Sequence, residues 1–386
     1  GLGAGSFAGN GGNGGTGDGG GLYATFSNIV LDEVTVTSNT ARSHGGGVYL
    51  IYSDAYATNA SIVANESQTG SGGGVYQEDV YTPSSCSCLP PIFGLLPAIF
   101  DNREAGYYGS SIHHNIAQND GGGMFIFSAA PVISATTISE NSTGSHGGGV
   151  MITGSGADSA MTILQNVVLT GNTAISGGAV WTSHADPRFY DVVIENNTAQ
   201  QGGGLHSSVA NPVLDNVLVQ NNRATGGIGK GGGIYMEFSP NALLSNTTVS
   251  DNSASNSGGG MYLYDFNSTM TNVVLKGNRG AGQGGGGMYI EHAFMPTFDN
   301  LLVSGNYSDI TASALCQGGG GIYAADCSTM VFKNGTITGN YSEMDGGGIL
   351  LAQSDINMIN GIIWNNRADN NDPDISRCTM AEARVY

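Results

Sequence analysis

The chain has 386 residues, of which 64 are glycine and only 11% are charged, and its formal net charge is −19. Glycine at more than twice its usual ~7% excludes a largely helical protein, because each mid-helix glycine costs roughly 1 kcal/mol. No Gly-X-Y period is present, which excludes collagen. The acidic balance argues against a nucleic-acid partner and against an anionic membrane surface. No apolar run is long enough to predict insertion into a membrane.

Glycine runs that end in an aliphatic residue recur along the whole chain, at a step of about 25 to 30 residues. Examples begin at Gly45, Gly72, Gly147, Gly231, Gly258 and Gly346. A repeat of this length is typical of the coils of a solenoid, in which each unit packs only on its neighbours.

Two columns of asparagine accompany the glycine runs. In the first column, each asparagine has an aliphatic residue three positions before it and a small residue two positions after it: Asn39, Asn65, Asn115, Asn141, Asn172, Asn197, Asn222, Asn252, Asn278, Asn306, Asn340 and Asn366. The second column lies six residues earlier: Asn59, Asn166, Asp191, Asn216, Asn246, Asn272, Asn300, Asn334 and Asn360. An asparagine at a turn takes a positive φ readily, and its amide can bond to the same residue one coil away. The corners break strand parity, so the sequence leaves open whether the columns face inward or outward.

Three short segments in each repeat alternate apolar and polar residues, which predicts β-strands. We therefore predict an all-β protein, a single right-handed parallel β-helix domain over residues 1–386. It would have about 12 coils and a length of roughly 55 to 60 Å at ~4.8 Å per coil. One long apolar insertion loop, residues 81–108, interrupts the repeat.

The segment Gly177-Gly178-Ala179-Val180, which follows Leu169 and Asn172, resembles the repeat of the polymorphic outer-membrane protein family. Other coils carry glycine in place of the alanine, and an aliphatic residue in place of the family's aromatic one. The resemblance covers nearly the whole chain at the level of the repeat. It implies a surface-displayed protein with an adhesive or structural role.

The insertion loop carries an apolar run that is too short and too rich in proline to span a membrane. Its large apolar residues are Leu89, Ile92, Phe93, Leu95, Leu96, Ile99 and Phe100. Two interpretations stay open. The run either folds against the flank of the helix or forms a contact for a neighbouring subunit, since exposed apolar patches mark interfaces.

Five cysteines are too few for a dense disulfide framework. We predict a Cys316–Cys327 bridge that braces one long loop, with Cys86 and Cys88 as further candidates. The odd number leaves one free thiol or one intermolecular link, and the residues do not determine the connectivity.

Sequons for N-glycosylation occur at Asn59, Asn65, Asn141, Asn196, Asn246, Asn267, Asn306, Asn334 and Asn340. If both asparagine columns face inward, only Asn196 and Asn267 are open to modification. If the columns face outward, a row of glycans could coat the rod.

An aromatic column follows the glycine runs: Tyr23, Tyr49, Tyr76, Phe125, Trp181, Tyr235, Tyr262, Tyr289 and Tyr323. The flanking residues Val48 and Leu50 should point inward, so these rings should point outward. The column is either a stacked ladder that stiffens the sheet or a flat face for a glycan or a protein. For the second case, Tyr235, Tyr262 and Tyr289 are the candidate interaction residues.

Enzymatic function is not expected from the sequence. The carboxylates are scattered singly except for Asp372 and Asp374, whereas polysaccharide hydrolysis needs a carboxylate pair. His44 and His146 precede glycine runs and are interpreted as turn residues. We therefore predict no catalytic residue, no metal site and no cofactor.

The resulting expectation is a secreted or cell-surface structural rod, and the abrupt start at Gly1 suggests a piece of a larger secreted protein. Neither end shows a cap, which favours end-to-end self-association into a fibre or filament. Two alternatives remain: an adhesin or glycan-binding module that uses the aromatic column, and a polysaccharide lyase or hydrolase.

Overall fold

The computed structural model describes residues 6–7, 17–27, 29–79, 105–155, 161–310 and 316–378. Over these residues the chain winds into a right-handed parallel β-helix of about 12 turns, which confirms the predicted fold. Each coil adds one strand to each of three long sheets, and all strand pairs are parallel. No helix of the described residues is long and apolar enough to cross a membrane.

Sheet 1 contains the 13 strands that follow the glycine runs. They are Leu22–Thr25, Val48–Ile51, Val75–Glu78, Met124–Phe127, Val150–Thr153, Val180–Ser183, Leu205–Ser208, Ile234–Glu237, Met261–Tyr264, Met288–Glu291, Ile322–Ala325, Ile349–Ala352 and Ile375–Cys378. The first and third residues of these strands point into the bore, as Val48 and Leu50 do with 0% exposure. The second and fourth residues therefore form two columns on the outer face.

Sheet 2 contains the next 12 strands, one per coil. They are Ile29–Asp32, Ala55–Thr58, Gly106–Tyr108, Val132–Ser134, Ile163–Gln165, Arg188–Tyr190, Val213–Asp215, Leu243–Ser245, Thr269–Thr271, Thr297–Asp299, Met330–Lys333 and Ile356–Ile359. Residues such as Phe189, Leu214 and Phe298 fill the bore from this side.

Sheet 3 contains 13 strands and leads into the asparagine corner. They are Ser6–Phe7, Thr35–Thr37, Ser61–Val63, Ser111–His113, Thr137–Ser139, Val168–Thr170, Val193–Glu195, Leu218–Gln220, Thr248–Ser250, Val274–Lys276, Leu302–Ser304, Thr336–Thr338 and Ile362–Trp364. Two ladders of short strands complete the coils after that corner: Thr40–Ala41, Glu66–Ser67, Ile116–Ala117 and Ser142–Thr143, then Thr198–Ala199, Arg223–Ala224, Ser253–Ala254, Arg279–Ala281, Tyr307–Asp309, Tyr341–Ser342 and Arg367–Ala368.

The first asparagine column faces inward and forms a continuous ladder of hydrogen bonds. The Nδ2 of Asn197 donates to the Oδ1 of Asn222 at 2.9 Å and to the carbonyl of Leu169 at 3.0 Å. The backbone N–H of Asn197 donates to the same Oδ1 at 3.0 Å. The expected positive φ belongs instead to the preceding residue, as at Asn196 with a φ of 57°.

The second asparagine column faces outward. Its members have positive φ, as at Asn246 (48°) and Asn272 (54°), and their side chains are exposed. They also bond from coil to coil, with the Nδ2 of Asn272 3.0 Å from the Oδ1 of Asn246. The two columns therefore lie on opposite sides of the backbone, an outcome that neither simple alternative described.

The glycine runs form the corner that leads into sheet 1. Gly231 has a φ of 63°, which an L-residue rarely adopts. At Gly232, a Cβ would lie 2.2 Å from the carbonyl oxygen of Gly259 in the next coil. Neighbouring coils thus approach too closely at this corner for any side chain.

The C-terminal boundary predicted for the insertion is too late. Gly106–Tyr108 is a regular strand of sheet 2, in register with Tyr56–Thr58 and with Val132–Ser134. Tyr107 occupies an inward position, so the strand returns to the coil path before residue 108. Cys86, Cys88 and the apolar residues Leu89, Ile92, Phe93, Leu95, Leu96, Ile99 and Phe100 lie outside the described residues.

The predicted Cys316–Cys327 bridge is wrong, because Cys316 pairs with Cys378 across a sequence separation of 62. Cys378 ends the last strand of sheet 1 on its outer face, whereas Cys327 points inward and is buried in the core. The thiol of Cys327 is free, and burial raises its pKa to about 11.

Candidate functional site

The aromatic column on the outer face of sheet 1 is a closed stack of rings. The ring centroids of Tyr235 and Tyr262 are 5.1 Å apart, those of Tyr262 and Tyr289 are 5.0 Å apart, and the planes differ by 5° or less. These three residues are only 1–6% exposed. The rings therefore cover one another and do not offer the flat, open face that the second interpretation required.

The tyrosine stack is interrupted by Trp181 and His206, which occupy the same column in adjacent coils. The His206 ring lies 4.4 Å from Tyr235 and 6.2 Å from Trp181, and the residue is 4% exposed. Neither ring nitrogen has a hydrogen-bond partner. Burial lowers the pKa of His206, so the imidazole is held neutral among the aromatic rings.

A carboxylate, Glu237, stands beside this imidazole in the second outer column of sheet 1. It accepts hydrogen bonds from Ser208 Oγ at 2.9 Å and from the Tyr235 hydroxyl at 3.0 Å. His206 Nε2 lies 3.7 Å from Glu237 Oε1. His206 in the first place, with Ser208 and Tyr235, lowers the pKa of Glu237 to about 2. Glu237 is therefore an ionised base, half-buried and at the surface of the sheet.

A second polar chain begins at Lys230, at the glycine corner that leads into the strand of Glu237. Lys230 Nζ donates to the Tyr262 hydroxyl at 2.6 Å and lies 4.2 Å from the centroid of its ring. The hydroxyl donates in turn to Glu291 Oε1. Burial, and then the Glu291 hydrogen bond and charge, raise the pKa of Tyr262, so this phenol keeps its proton.

Strand register joins the two polar groups. Glu237 pairs with Tyr264, and Tyr264 pairs with Glu291, so the three side chains form one column on the outer face. Two strand spacings separate the Cα atoms of the carboxylates, about 9.5 Å. Tyr264 thus lies between two carboxylates and is half-buried.

Exposed aromatic residues extend this surface toward sheet 2. The rings of Phe238 and His292 lie 5.1 and 5.2 Å from Tyr264, both edge-on. Phe238 is 45% exposed, and the nearby Phe294 is 67% exposed. Unlike the closed tyrosine stack, these rings are open to a ligand.

Sequence reasoning missed this site because the carboxylates are far apart along the chain. The signal was present in the fourth residue after the glycine corner, which is Glu237, Tyr264 and Glu291 in three consecutive coils. The side chain of Asp374, which is paired with Asp372 along the sequence, accepts a hydrogen bond from Asn366 Nδ2 at 3.0 Å at the end of the inner ladder. His146 lies at the glycine corner and contacts Asp120, with Nδ1 and Oδ1 2.8 Å apart.

The sequons divide into two groups. Asn65, Asn141, Asn306 and Asn340 belong to the inner ladder and are about 1% exposed, so their amides are closed to modification. Asn59, Asn196, Asn246 and Asn334 are exposed at corners, and Asn267 is half-buried. The sequons of the outward column, at Asn59, Asn246 and Asn334, are therefore open to modification, as is that at Asn196.

Comparison with known proteins agrees with the fold. A family model described as a right handed beta helix region matches residues 148–316. Two solved structures resemble the chain: the A-module of the mannuronan C-5 epimerase AlgE4 from Azotobacter vinelandii and the periplasmic alginate epimerase AlgG. The first is 12% identical with a TM-score of 0.43, covering 95% of this chain and 90% of its own. The second is 10% identical with a TM-score of 0.39, covering 92% and 77%. No curated protein sequence matches the chain.

The prediction of a filament subunit without enzymatic activity is corrected. The solved structures named above are those of epimerases, and no filament protein is among them. In addition, sheet 1 places Glu237 and Glu291 in one column, although the sequence predicted that the carboxylates are scattered singly.

Proposed function

We propose that this protein is a carbohydrate-active enzyme that cleaves a polysaccharide lying along the outer face of sheet 1. The observation that carries the proposal is the column Glu237–Tyr264–Glu291, in which two carboxylates flank an aromatic ring. We propose a secreted or periplasmic location as part of the same hypothesis.

The spacing of the two carboxylates suits hydrolysis. In inverting glycosidases the carboxyl groups are about 6.5–9.5 Å apart, which leaves room for a water molecule between the base and the sugar. The Cα atoms of Glu237 and Glu291 are two strand spacings apart, about 9.5 Å, so their side chains can bring the carboxyl groups within this range. A retaining enzyme would need about 5 Å, the distance between neighbouring coils.

The environment of each carboxylate suggests its role. Glu237 is ionised and is therefore the candidate acceptor for the proton of water, although its lowered pKa makes it a weak base that acts chiefly by orienting that water. Glu291, which contacts the Tyr262 hydroxyl, is the candidate proton donor in its protonated form, because the raised pKa of the Tyr262 phenol excludes the tyrosine from that role. The open rings of Phe238 and Phe294 would hold sugar units beside the two groups.

Glycan binding without cleavage is the second candidate, and the exposed aromatic residues favour it. It also agrees with the resemblance of the repeats to the polymorphic outer-membrane protein family, which remains a prediction. Binding would then use Tyr264, Phe238 and Phe294 rather than the buried tyrosine stack.

The test is a panel of polysaccharides incubated with the wild type, with Glu237→Gln and with Glu195→Gln. Glu195 is a matched control, since it accepts a hydrogen bond from Gln220 Nε2 at 2.7 Å but lies on sheet 3. Release of reducing ends reports hydrolysis, and absorbance of unsaturated sugars reports elimination. We expect Glu237→Gln to lose about 10²- to 10⁴-fold in rate and Glu195→Gln to be unchanged.

Two results would overturn the enzymatic proposal. One is equal activity of Glu237→Gln and the wild type. The other is retention of a polysaccharide by the wild type, measured by affinity electrophoresis, with no change in that polysaccharide. This second result would favour the binding alternative, which predicts that Phe294→Ala weakens retention while Glu237→Gln does not.

A further inference from the structure

The fourth residue of each sheet 1 strand and the residue that follows it form a strip along the rod, two residues wide. Four consecutive coils each place one acidic side chain in this strip: Glu237, Asp265, Glu291 and Asp326. Consecutive coils are about 4.8 Å apart, so the strip presents one carboxyl group at each such step. The run covers the coils of the proposed active site and extends one coil beyond them.

The strip lacks basic residues. No lysine or arginine occupies either of its two columns in any described coil between Thr25 and Cys378. Lys230 lies outside it, at the glycine corner, where its Nζ donates to the Tyr262 hydroxyl. Proteins recognise sugar carboxylates with arginine or lysine side chains. The strip therefore disfavours a polymer of uronic acids, and the net charge of −19 acts in the same direction.

The two aspartates of the strip are accessible to a cation from solvent. Asp265 is half-buried and accepts a hydrogen bond from Asn267 Nδ2 at 3.1 Å. Asp326 is exposed and has no ion pair or side-chain hydrogen bond among the described residues. Since neither aspartate has a lysine or arginine partner, both are available to a positively charged ligand.

A buried group behind the strip also indicates a ligand on its outer side. His206 is 4% exposed, both of its ring nitrogens lack a partner, and Nε2 lies 3.7 Å from Glu237 Oε1. A small movement of the carboxylate would complete a hydrogen bond to this imidazole. Ser208 and Tyr235 instead hold the carboxylate on the surface side. The Glu237 charge is thus directed outward, although a buried donor is left unsatisfied.

The corner beside the carboxylates carries bulky residues in a conformation that they rarely adopt. Val209 and Phe238 both have a φ of 52°, and they are 46% and 45% exposed. The left-handed region is strained for β-branched and aromatic residues, and strain of this kind is concentrated at ligand sites. The Phe238 ring also contacts Tyr264 edge-on, with the centroids 5.1 Å apart. An open aromatic surface therefore adjoins the carboxyl groups.

We propose that the substrate of the proposed active site is a cationic polysaccharide, a polymer of 2-amino sugars with free amino groups, lying along the strip. This inference rests on the proposed function, because it names the substrate class of that site. In an extended chain of linked six-membered sugar rings, one unit is nearly as long as one coil spacing, so each coil faces one ammonium group. Asp265 and Asp326 pair with these groups, while Glu237 and Glu291 act on the glycosidic bond. The open aromatic rings contact the apolar faces of the sugars and attract their ammonium groups.

The test compares three hexasaccharides by isothermal titration calorimetry with the whole protein in low-salt buffer. They are a glucosamine hexamer with protonated amines, the same hexamer fully N-acetylated, and a galacturonate hexamer. We expect the glucosamine hexamer to bind at least about tenfold more tightly than its N-acetylated form, and the galacturonate hexamer not to bind. The preference should decrease at high salt, because salt screens charges at a surface.

Variants then locate the preference in the strip. Asp265→Asn combined with Asp326→Asn should weaken binding of the glucosamine hexamer by about fivefold and leave the N-acetylated hexamer within about twofold of the wild type. Asparagine tolerates the positive φ of both corners, which is 52° and 49°. The matched control is Asp251→Asn, since Asp251 is exposed at a corner with a φ of 55° but follows the sheet 3 strand Thr248–Ser250. This control should change neither affinity.

Hexalysine controls for a general attraction of cations to an acidic protein, and it should bind more weakly than the glucosamine hexamer. The inference fails if hexalysine, the N-acetylated hexamer or the galacturonate hexamer binds the wild type as tightly as the glucosamine hexamer does. It also fails if no hexamer binds, or if Asp251→Asn weakens binding as much as the double variant. The comparisons of ligands use the wild type alone, so they hold even if a variant does not fold.

Cleavage is measured separately, so that the two hypotheses can fail independently. Cleavage of a neutral or uronic polymer that is lost in Glu237→Gln would support the proposed function and overturn the cationic substrate. Binding of the glucosamine hexamer that depends on Asp265 and Asp326, without cleavage of the corresponding polymer, would support the ligand class and overturn hydrolysis.

Discussion

Glu237 Oε1 lies 3.7 Å from His206 Nε2, in the neighbouring coil, and the two residues affect each other in opposite ways. Burial among Trp181 and Tyr235 disfavours a charge on His206, whereas Glu237 favours it. Burial has the larger effect, so the pKa of His206 is lowered. Glu237 meanwhile keeps its charge at the surface with the help of Ser208.

Protonation of His206 should therefore destabilise the fold. A histidine whose folded pKa is lowered keeps its full contribution above its unfolded pKa of about 6.5 and loses it as the pH falls below that value. We expect the melting temperature of the wild type to fall between pH 6.5 and pH 5. His206→Phe, which places a ring like that of Phe125 in the column, should flatten this slope.

His206 and Glu237 affect the stability of the fold in different pH ranges. The pKa of Glu237 is lowered to about 2, so its contribution to stability is fully present above its ordinary pKa of 4.5 and is lost as the pH falls toward 2. His292→Phe is the control, because His292 is exposed and should leave the slope between pH 6.5 and pH 5 unchanged. An unchanged slope in His206→Phe would contradict the prediction.

The inner asparagine ladder should contribute far more to the free energy of unfolding than the outer asparagine column does. Asn222→Ala removes the acceptor of two hydrogen bonds from Asn197 and the side-chain donor to the carbonyl of Ile194 in the core. We expect a loss of at least ~3 kcal/mol in the free energy of unfolding, measured with denaturant. Asn272→Gly, which keeps the positive φ of an exposed corner, should cost less than about 1 kcal/mol. Equal losses would contradict the assignment of inner and outer columns.

The disulfide assignment predicts different chemistry for the described cysteines. Cys316 and Cys378 should resist alkylation in the native protein until a reductant is added, and Cys327 should react only after unfolding because it is buried with a pKa of about 11. Cys378→Ser opens a loop with a separation of 62 residues and should cost roughly 4 kcal/mol on the chain-entropy model. Mass spectrometry of the alkylated peptides makes the measurement. A native bridge to Cys327 would refute the assignment.

The sequence contains enough information for the fold because every coil repeats the same constraint. An aliphatic residue such as Val219, three positions before Asn222, places one inward side chain and one corner in each copy. The orientation of the two asparagine columns was not predictable in this way. The orientation depends on a residue of positive φ that lies between the two columns, such as Asn221. This residue reverses the alternation of inward and outward side chains along the backbone.

The candidate site was harder to predict than the fold, for a physical reason. Glu237 and Glu291 share a column only because of the register of strands two coils apart, and no local sequence motif marks either residue. The burial of Tyr262 also depends on how its neighbours stack, and Lys230 reaches over its ring from the glycine corner of the preceding coil. Alignment of the repeats on the glycine corner, followed by inspection of the outward columns, would have found the column.

The glycine corners provide a sharp test of how closely the coils approach. At Gly232, an added Cβ would lie 2.2 Å from the Gly259 carbonyl and 2.5 Å from the backbone of Ser253, so neighbouring coils must separate. Gly232→Ala should cost about 3 kcal/mol or more, or prevent folding. At Gly227, only a few residues away, an added Cβ meets nothing within 4 Å. Gly227→Ala should therefore change the free energy of unfolding by less than about 0.5 kcal/mol. The measurement is denaturant unfolding of both variants, with expression and far-ultraviolet circular dichroism as the check that each folds. A Gly232→Ala variant as stable as Gly227→Ala would show that the coils are further apart at this corner than the structure places them.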